Sequence, residues 1–91
     1  NGYGSSTVPN GTKYVGKFQR VKKHGHGTLT MPDGSVYVGQ YKDGEPNGHG
    51  VLTYADGEKY VGEYNDGKTW NGILYNTLGH IVGKYVNGEA Q

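Results

Sequence analysis

Hydrophobic and polar positions alternate with a period of two in short segments of the chain. Residues 14–19 read Tyr-Val-Gly-Lys-Phe-Gln, and residues 27–31 read Gly-Thr-Leu-Thr-Met. Successive side chains of a strand point to opposite faces, so this period predicts half-buried β-strands. No segment has an apolar period of 3.6 residues long enough to predict a helix.

Turn-forming residues separate the alternating segments. Pro32-Asp33-Gly34 and Ala55-Asp56-Gly57 are two examples. Asp tolerates a left-handed backbone and Gly adopts positive φ without steric cost, so we expect positive φ at Gly34 and Gly57. The pattern predicts eight strands at residues 2–8, 12–19, 26–31, 35–42, 49–55, 58–65, 72–76 and 80–86. At about 4.8 Å per strand, such a meander would be about 34 Å long.

The same segment recurs every 23 residues. Tyr-Val-Gly begins at Tyr14, Tyr37 and Tyr60, and the next aromatic column holds Phe18, Tyr41 and Tyr64. Towards the C-terminus the copies drift: Gly72 follows Gly50 by 22 residues, and Trp70 falls where Gly48 would recur. Terminal copies of repeat arrays are often atypical. We divide the single domain 1–91 into a partial repeat (1–13), repeats 14–36 and 37–59, a degenerate C-terminal repeat (60–82) and a half repeat (83–91).

Alternation places most large apolar side chains on one face of the predicted sheet. They are Tyr14, Phe18, Leu29, Met31, Tyr37, Tyr41, Leu52, Tyr54, Tyr60 and Tyr64. Glycines on this face leave room for the rings to lie over the backbone, and the valines of each Tyr-Val-Gly fall on the other face. The expected fold is therefore all-β, a single-layer antiparallel meander of tandem hairpins, elongated and solenoid-like.

Composition and charge narrow the classes of function. The 91 residues include 18 Gly and 9 Tyr, only 32% are hydrophobic, and this cannot fill a thick two-layer core. Nine Lys and Arg against eight Asp and Glu give a net charge of +1, which does not favour nucleic acid as a partner. Without Cys there is neither a disulfide framework nor thiolate chemistry. No apolar run approaches the ~20 residues of a membrane-spanning helix.

The columns Tyr-x-Gly-x-(Tyr/Phe), Gly-x-Gly-x-Leu and Asp-Gly resemble the MORN repeat (membrane occupation and recognition nexus). The similarity covers nearly the whole chain and is strongest up to Tyr64. It implies an elongated single-layer sheet without catalysis of its own. It also implies scaffolding, self-association or membrane apposition, and the fold does not choose among them.

Catalytic and cofactor motifs are absent from the pattern, so we expect no enzyme, cofactor, bound metal or small-molecule substrate. His26 and His49 are repeat equivalents expected two strands apart, about 9.6 Å, whereas zinc ligands lie about 2 Å from one ion. The Gly-His-Gly triplets lack the third glycine and the following helix of a phosphate loop.

Two groups of residues are candidates for binding. The first is the aromatic face, which either contacts a partner or only fills the core: Tyr14, Phe18, Tyr37, Tyr41, Tyr54, Tyr60, Tyr64 and Trp70. The second is a basic loop, Arg20, Lys22 and Lys23, which either contacts an anionic ligand or is simply solvated.

We therefore expect a non-catalytic protein-interaction or structural scaffold module of a larger protein. The alternatives are a module that binds acidic phospholipid at a membrane surface, and a carbohydrate or cell-wall binding array. The chain begins at the second strand of one repeat and closes after the first strand of another. We accordingly expect longer flanking sequence in the parent protein or self-association through unpaired sheet edges.

Overall fold

One antiparallel sheet makes up the fold. The computed structural model describes residues 2–20 and 22–91; Asn1 and Val21 lie outside the described residues. The described residues form no helix. Their strands are β1 (Gly2–Thr7), β2 (Lys13–Gln19), β3 (Lys22–Thr30), β4 (Val36–Lys42), β5 (Glu45–Thr53), β6 (Lys59–Asn65), β7 (Lys68–Tyr75), β8 (Ile81–Val86) and β9 (Glu89–Ala90). They pair in chain order, which confirms the predicted all-β meander, and the longest dimension is 37 Å.

Three strands begin four residues earlier than predicted, and β9 was not predicted at all. β3, β5 and β7 were expected from residues 26, 49 and 72 but begin at Lys22, Glu45 and Lys68. The connection between β4 and β5 is only two residues long, with φ of 52° at Asp43 and 90° at Gly44. Positive φ at both central residues defines a type I′ turn, whose twist suits a tight hairpin. Pro46 lies inside β5, where it pairs with Tyr41 beside a bulge, a position at which a strand tolerates proline.

Four five-residue loops connect successive hairpins at the strand ends opposite the two-residue turns. They span residues 8–12, 31–35, 54–58 and 76–80, and each is closed by the same two backbone hydrogen bonds. In the second loop the Gly34 N–H donates to the Met31 carbonyl at 3.0 Å, and the Met31 N–H donates to the Ser35 carbonyl at 2.8 Å. Gly34 and Gly57 both have φ of 97°, which confirms the prediction.

The aspartates of these loops have a different role from the predicted one. Asp33 does not adopt positive φ. Its carboxylate instead accepts the Ser35 N–H at 2.8 Å, and this hydrogen bond lowers the pKa of the Asp33 carboxyl. Asp56 accepts the Glu58 N–H in the same way at 2.9 Å. The left-handed backbone is found at the aspartates of the two-residue turns, Asp43 and Asp66.

The hairpins β2–β3, β4–β5 and β6–β7 each contain a bulge, and the third bulge explains the drift in the repeat. Between paired positions, β5 places three residues opposite Gln40, whereas β7 places only two, Trp70 and Asn71, opposite Glu63. One residue is therefore missing from the third bulge. Counted from the start of its strand, Trp70 takes the place of Asn47, and counted back from Gly72 it takes the place of Gly48.

Aromatic rings that lie flat on glycine backbone form the core. Tyr37 is 2% exposed, and its hydroxyl donates to the Gln40 carbonyl at 2.9 Å, so the ring runs along its own strand. Gly39 and Gly50 are paired beneath it. A Cβ on Gly50 would lie 2.5 Å from the Tyr37 hydroxyl, so only glycine fits. Tyr14 and Tyr60 repeat this arrangement over the next glycine pairs.

The rings then contact one another edge to face. Centroid distances are 5.1–5.7 Å and interplanar angles are 80–87° along the series Phe18, Tyr14, Tyr41, Tyr37, Tyr64, Tyr60 and Tyr85. Such pairs add about 0.5–1.5 kcal/mol each beyond area burial. Leu29, Met31, Leu52, Tyr54 and Leu74 pack beside them. The predicted core face is confirmed, and Val15, Val38 and Val61 lie exposed on the other face.

Candidate interaction surfaces

The aromatic face is closed by its own rings. Of the eight candidate aromatic residues, five are at most 7% exposed: Tyr14, Tyr37, Tyr41, Tyr60 and Tyr64. Phe18, Tyr54 and Trp70 are half-buried, and Trp70 stands beside Gly88 of the last two-residue turn. A partner on this face would therefore reach only the half-buried side chains without disturbing the core.

The buried tyrosine hydroxyls fall into two classes. Those of Tyr14, Tyr37 and Tyr60 donate to carbonyls three residues further along the chain at 2.7–2.9 Å. The hydroxyls of Tyr41 and Tyr64 are buried and have no hydrogen-bond partner among the described residues. Burial raises the pKa of Tyr37 to about 12, and it also raises the pKa of Tyr41 and of Tyr64.

The structure divides the predicted basic loop between two faces. Lys23 lies opposite Phe18 on the aromatic face, and its Nζ is 5.4 Å from the Tyr14 ring centroid. Lys22 lies opposite Gln19 on the other face. Arg20, with φ of 52°, occupies the turn between them and lines a hollow of about 340 Å³ together with Lys22 and Asp43. The three cations do not converge on one site.

The face opposite the rings carries an apolar row that crosses the sheet. We call this face the valine face, and its central row runs through paired positions Val15, Thr28, Val38, Val51, Val61 and Ile73. Val15, Val38 and Val61 are 47%, 38% and 36% exposed. Large apolar side chains are normally covered when they form a contiguous strip, so this row is a candidate contact surface.

Lysines surround the valine row. Strand register places seven of the eight lysines on the valine face: Lys13, Lys17, Lys22, Lys42, Lys59, Lys68 and Lys84. Only three strand carboxylates share it, those of Glu45, Glu63 and Glu89. Neither the net charge of +1 nor the basic loop at Arg20 indicates this asymmetry. The period-two pattern around Val15, with a lysine two residues away on each side, was the available signal.

A shallow hollow lies in the middle of the valine face. It measures about 300 Å³, and its lining includes Val38, Val51 and Val61 with His26 and His49. The His49 Nε2 is 4.0 Å from the Glu63 carboxylate. A second hollow of about 370 Å³ lies further along, beside Lys59 and Tyr75. These depressions are open and suit protruding side chains of a partner better than an enclosed small molecule.

Neither a metal centre nor a membrane-spanning helix occurs in the part of the chain that the structure describes. Within residues 2–20 and 22–91, no three His, Asp or Glu side chains are grouped so as to hold a metal ion. Likewise, no helix in these ranges has the length and apolarity needed to cross a membrane.

The fold and its two faces define a class, the single-layer arrays of β-hairpin repeats. Within that class the MORN repeat matches two consecutive copies, residues 14–36 and 37–59, which together are half of the chain. The chain belongs to the MORN repeat family. No individual curated protein matches it. MORN repeats are a non-catalytic repeat type, generally associated with membrane and protein-interaction scaffold roles.

Proposed function

We propose that this chain is a non-catalytic scaffold module that binds a protein partner, and that the partner sits on the valine face. The observation that supports this most directly is the exposed apolar row. The chain's own core lies on the other face, so packing of the core does not account for an exposed apolar row here.

The valine face is large enough for a stable complex. A standard protein interface buries about 800 Å² on each partner. The sheet measures 37 by 25 Å in its two larger dimensions, so one face is of that order. Central interface contacts are apolar and the rim is polar, which is the arrangement of the valine row and the lysines around it.

The test interrupts the row without disturbing the core. Val38→Thr with Val61→Thr keeps shape and strand propensity while placing hydroxyls in the centre of the row. The control pair is Val8→Thr with Val82→Thr, which are 44% and 53% exposed and lie outside the row. All three chains are immobilised, and the proteins that each retains from an extract of cells that make this protein are quantified. We expect a defined partner that the control variant retains as well as the unmodified chain does. The amount of this partner retained by the row variant should be lower by about tenfold or more, since the row is the centre of the contact.

Two results would overturn this proposal. One is that every retained protein binds the row variant as well as the unmodified chain. The other is that losses are the same in the control pair, which would place the contact outside the valine row.

Acidic phospholipid is the second candidate partner, and the lysines of the valine face are the observation in its favour. In a cluster of lysines near a membrane surface, each lysine contributes about 1 kcal/mol to the binding of anionic lipid. Sedimentation with phosphatidylserine vesicles and with phosphatidylcholine vesicles, at low and high salt, tests it. Lipid binding predicts selective sedimentation with phosphatidylserine that salt abolishes.

A further inference from the structure

We infer that the valine face recognises an acidic segment of a protein, one that carries apolar side chains among its carboxylates. This inference rests on the proposed function and adds the chemistry of the partner. It follows from how the sheet sorts charge between its faces, which the net charge of +1 conceals.

The charges of the chain are separated in space. Lysines dominate the valine face, whereas four aspartates lie in the turns and loops at the ends of the strands: Asp33, Asp43, Asp56 and Asp66. Asp33 and Asp56 are already engaged as acceptors for backbone N–H groups of their own loops. Seven lysines against the three glutamates of the same face leave the valine face with an excess of positive charge. A cleft or face of one sign attracts ligands of the opposite sign and steers their approach.

The lysines are spaced so that carboxylates of one partner can reach them. Lys13 and Lys17 flank Val15 on the same strand, and Lys59 lies next to the row at Val61 on the same face. Two residues along a strand span about 6.7 Å, which is within the reach of a lysine side chain and an opposing Glu. Lys17 is also held by the Tyr3 ring, whose centroid is 5.7 Å from its Nζ. A partner whose apolar side chains occupy the row would thus bring its carboxylates to the lysines.

The shape of the row favours a protein over a lipid bilayer. Surfaces that insert into membranes present Trp, Phe or Leu that reach beyond the charged groups. The valine row has only short side chains, Val, Thr and Ile, that are at most half exposed. Tyr3, an exposed ring of the same face, lies in β1 beside Lys17 and outside the row. The hollow between His26 and His49 recedes from this surface and is lined by valines and glycine backbone. It receives a protruding side chain, and it does not provide one for insertion.

The experiment selects peptide ligands of the valine face from a random library. A phage-displayed library of random 16-residue peptides is selected on the folded chain, with depletion on the Val38→Thr/Val61→Thr variant. Selected peptides are synthesised and their affinity is measured for two charge variants. Lys13→Gln/Lys59→Gln removes two charges from the valine face, and Lys23→Glu changes the charge of the aromatic face by the same amount. Circular dichroism checks that each variant is folded.

The expected result is enrichment of peptides that combine Asp or Glu with apolar residues. Their affinity should fall about fivefold in Lys13→Gln/Lys59→Gln, as two exposed ion pairs predict, and remain unchanged in Lys23→Glu. If Lys23→Glu does not fold, Lys23→Gln is compared with Lys59→Gln, one charge against one.

Three outcomes would overturn the inference. Neutral or basic peptides that bind through the row would leave the scaffold function intact but refute the acidic partner. Failure to enrich any peptide would refute recognition of a linear acidic segment, and the partner-capture experiment would still decide the scaffold function separately. Binding of phosphatidylserine vesicles that depends on Lys13 and Lys59, without acidic peptides, would assign the face to a membrane.

Discussion

The two classes of buried tyrosine hydroxyl predict opposite effects for the same substitution. Tyr37→Phe and Tyr41→Phe each remove one oxygen from a ring that is at most 4% exposed. The two rings are in contact, with centroids 5.3 Å apart, so they share one environment. They differ in whether the hydroxyl has a hydrogen-bond partner, which makes each substitution the control for the other.

Tyr37→Phe should destabilise the fold. The Tyr37 hydroxyl donates to the Gln40 carbonyl at 2.9 Å. Gln40 lies opposite the bulge of β5, so it has no direct partner in that strand. A typical internal hydrogen bond contributes about 1 kcal/mol, and hydrogen bonds that are partly shielded from water, as this one is, contribute at least that much. We expect the free energy of unfolding to fall by about 1–1.5 kcal/mol, which lowers Tm by roughly 5–10 °C in a domain of this size.

Tyr41→Phe should stabilise the fold. The Tyr41 hydroxyl is buried without a partner among the described residues, and such a group costs about 1–3 kcal/mol in desolvation. Removing one oxygen leaves a small void, whose cost is roughly a few tenths of a kcal/mol at ~24 cal/mol per Å³. The net expectation is a gain of about 1 kcal/mol. Phe18 occupies the same column one repeat earlier, so a phenyl ring is already accommodated there.

Urea unfolding followed by the fluorescence of Trp70, the one tryptophan, measures both effects. The slope of unfolding free energy against urea must stay constant for the comparison to hold. The predicted separation between the two variants is about 2 kcal/mol, well above the error of the method. Equal destabilisation by both substitutions would refute the reasoning, because it would show that the Tyr41 hydroxyl is satisfied in solution.

Three further predictions follow from the glycines and the rings. Gly50→Ala should destabilise by about 3 kcal/mol in urea unfolding, because its Cβ would meet the Tyr37 ring, while Gly83→Ala, whose Cβ would have ordinary contacts at 3.5 Å, should cost less than 1 kcal/mol. Gly34→Val should cost at least about 1 kcal/mol, since φ there is 97°, and an unchanged urea midpoint would contradict this. Burial favours the neutral form of Tyr37, so its contribution to stability is complete below pH 10 and lost as the pH rises towards 12. The tyrosinate absorbance that comes from the buried rings should therefore rise only together with unfolding, and its complete appearance while the chain is still folded would disprove this.

Local features of the fold were readable from the sequence because they depend on neighbouring residues. Alternation along a strand separated Tyr14 from Val15, and the Asp-Gly pairs identified turns in which Gly34 and Gly57 need positive φ. The 23-residue period fixed the order of the hairpins and led to the MORN resemblance. These signals lie in neighbouring positions or in the repetition of the sequence itself, so no knowledge of strand pairing was needed.

Pairing between strands decided the rest. A one-residue change in a bulge moves the following side chains to the other face. The shorter bulge of β7 does this, and it places Lys68 on the valine face although simple alternation from Ile73 would not. The same tertiary contacts determine that the hydroxyl of Tyr37 finds a carbonyl while that of Tyr41 does not. The sequence alone determined the repeat and the aromatic rings of the core. Which charged side chains share the valine face was decided only by the tertiary structure, because register and bulges depend on the pairing of two strands.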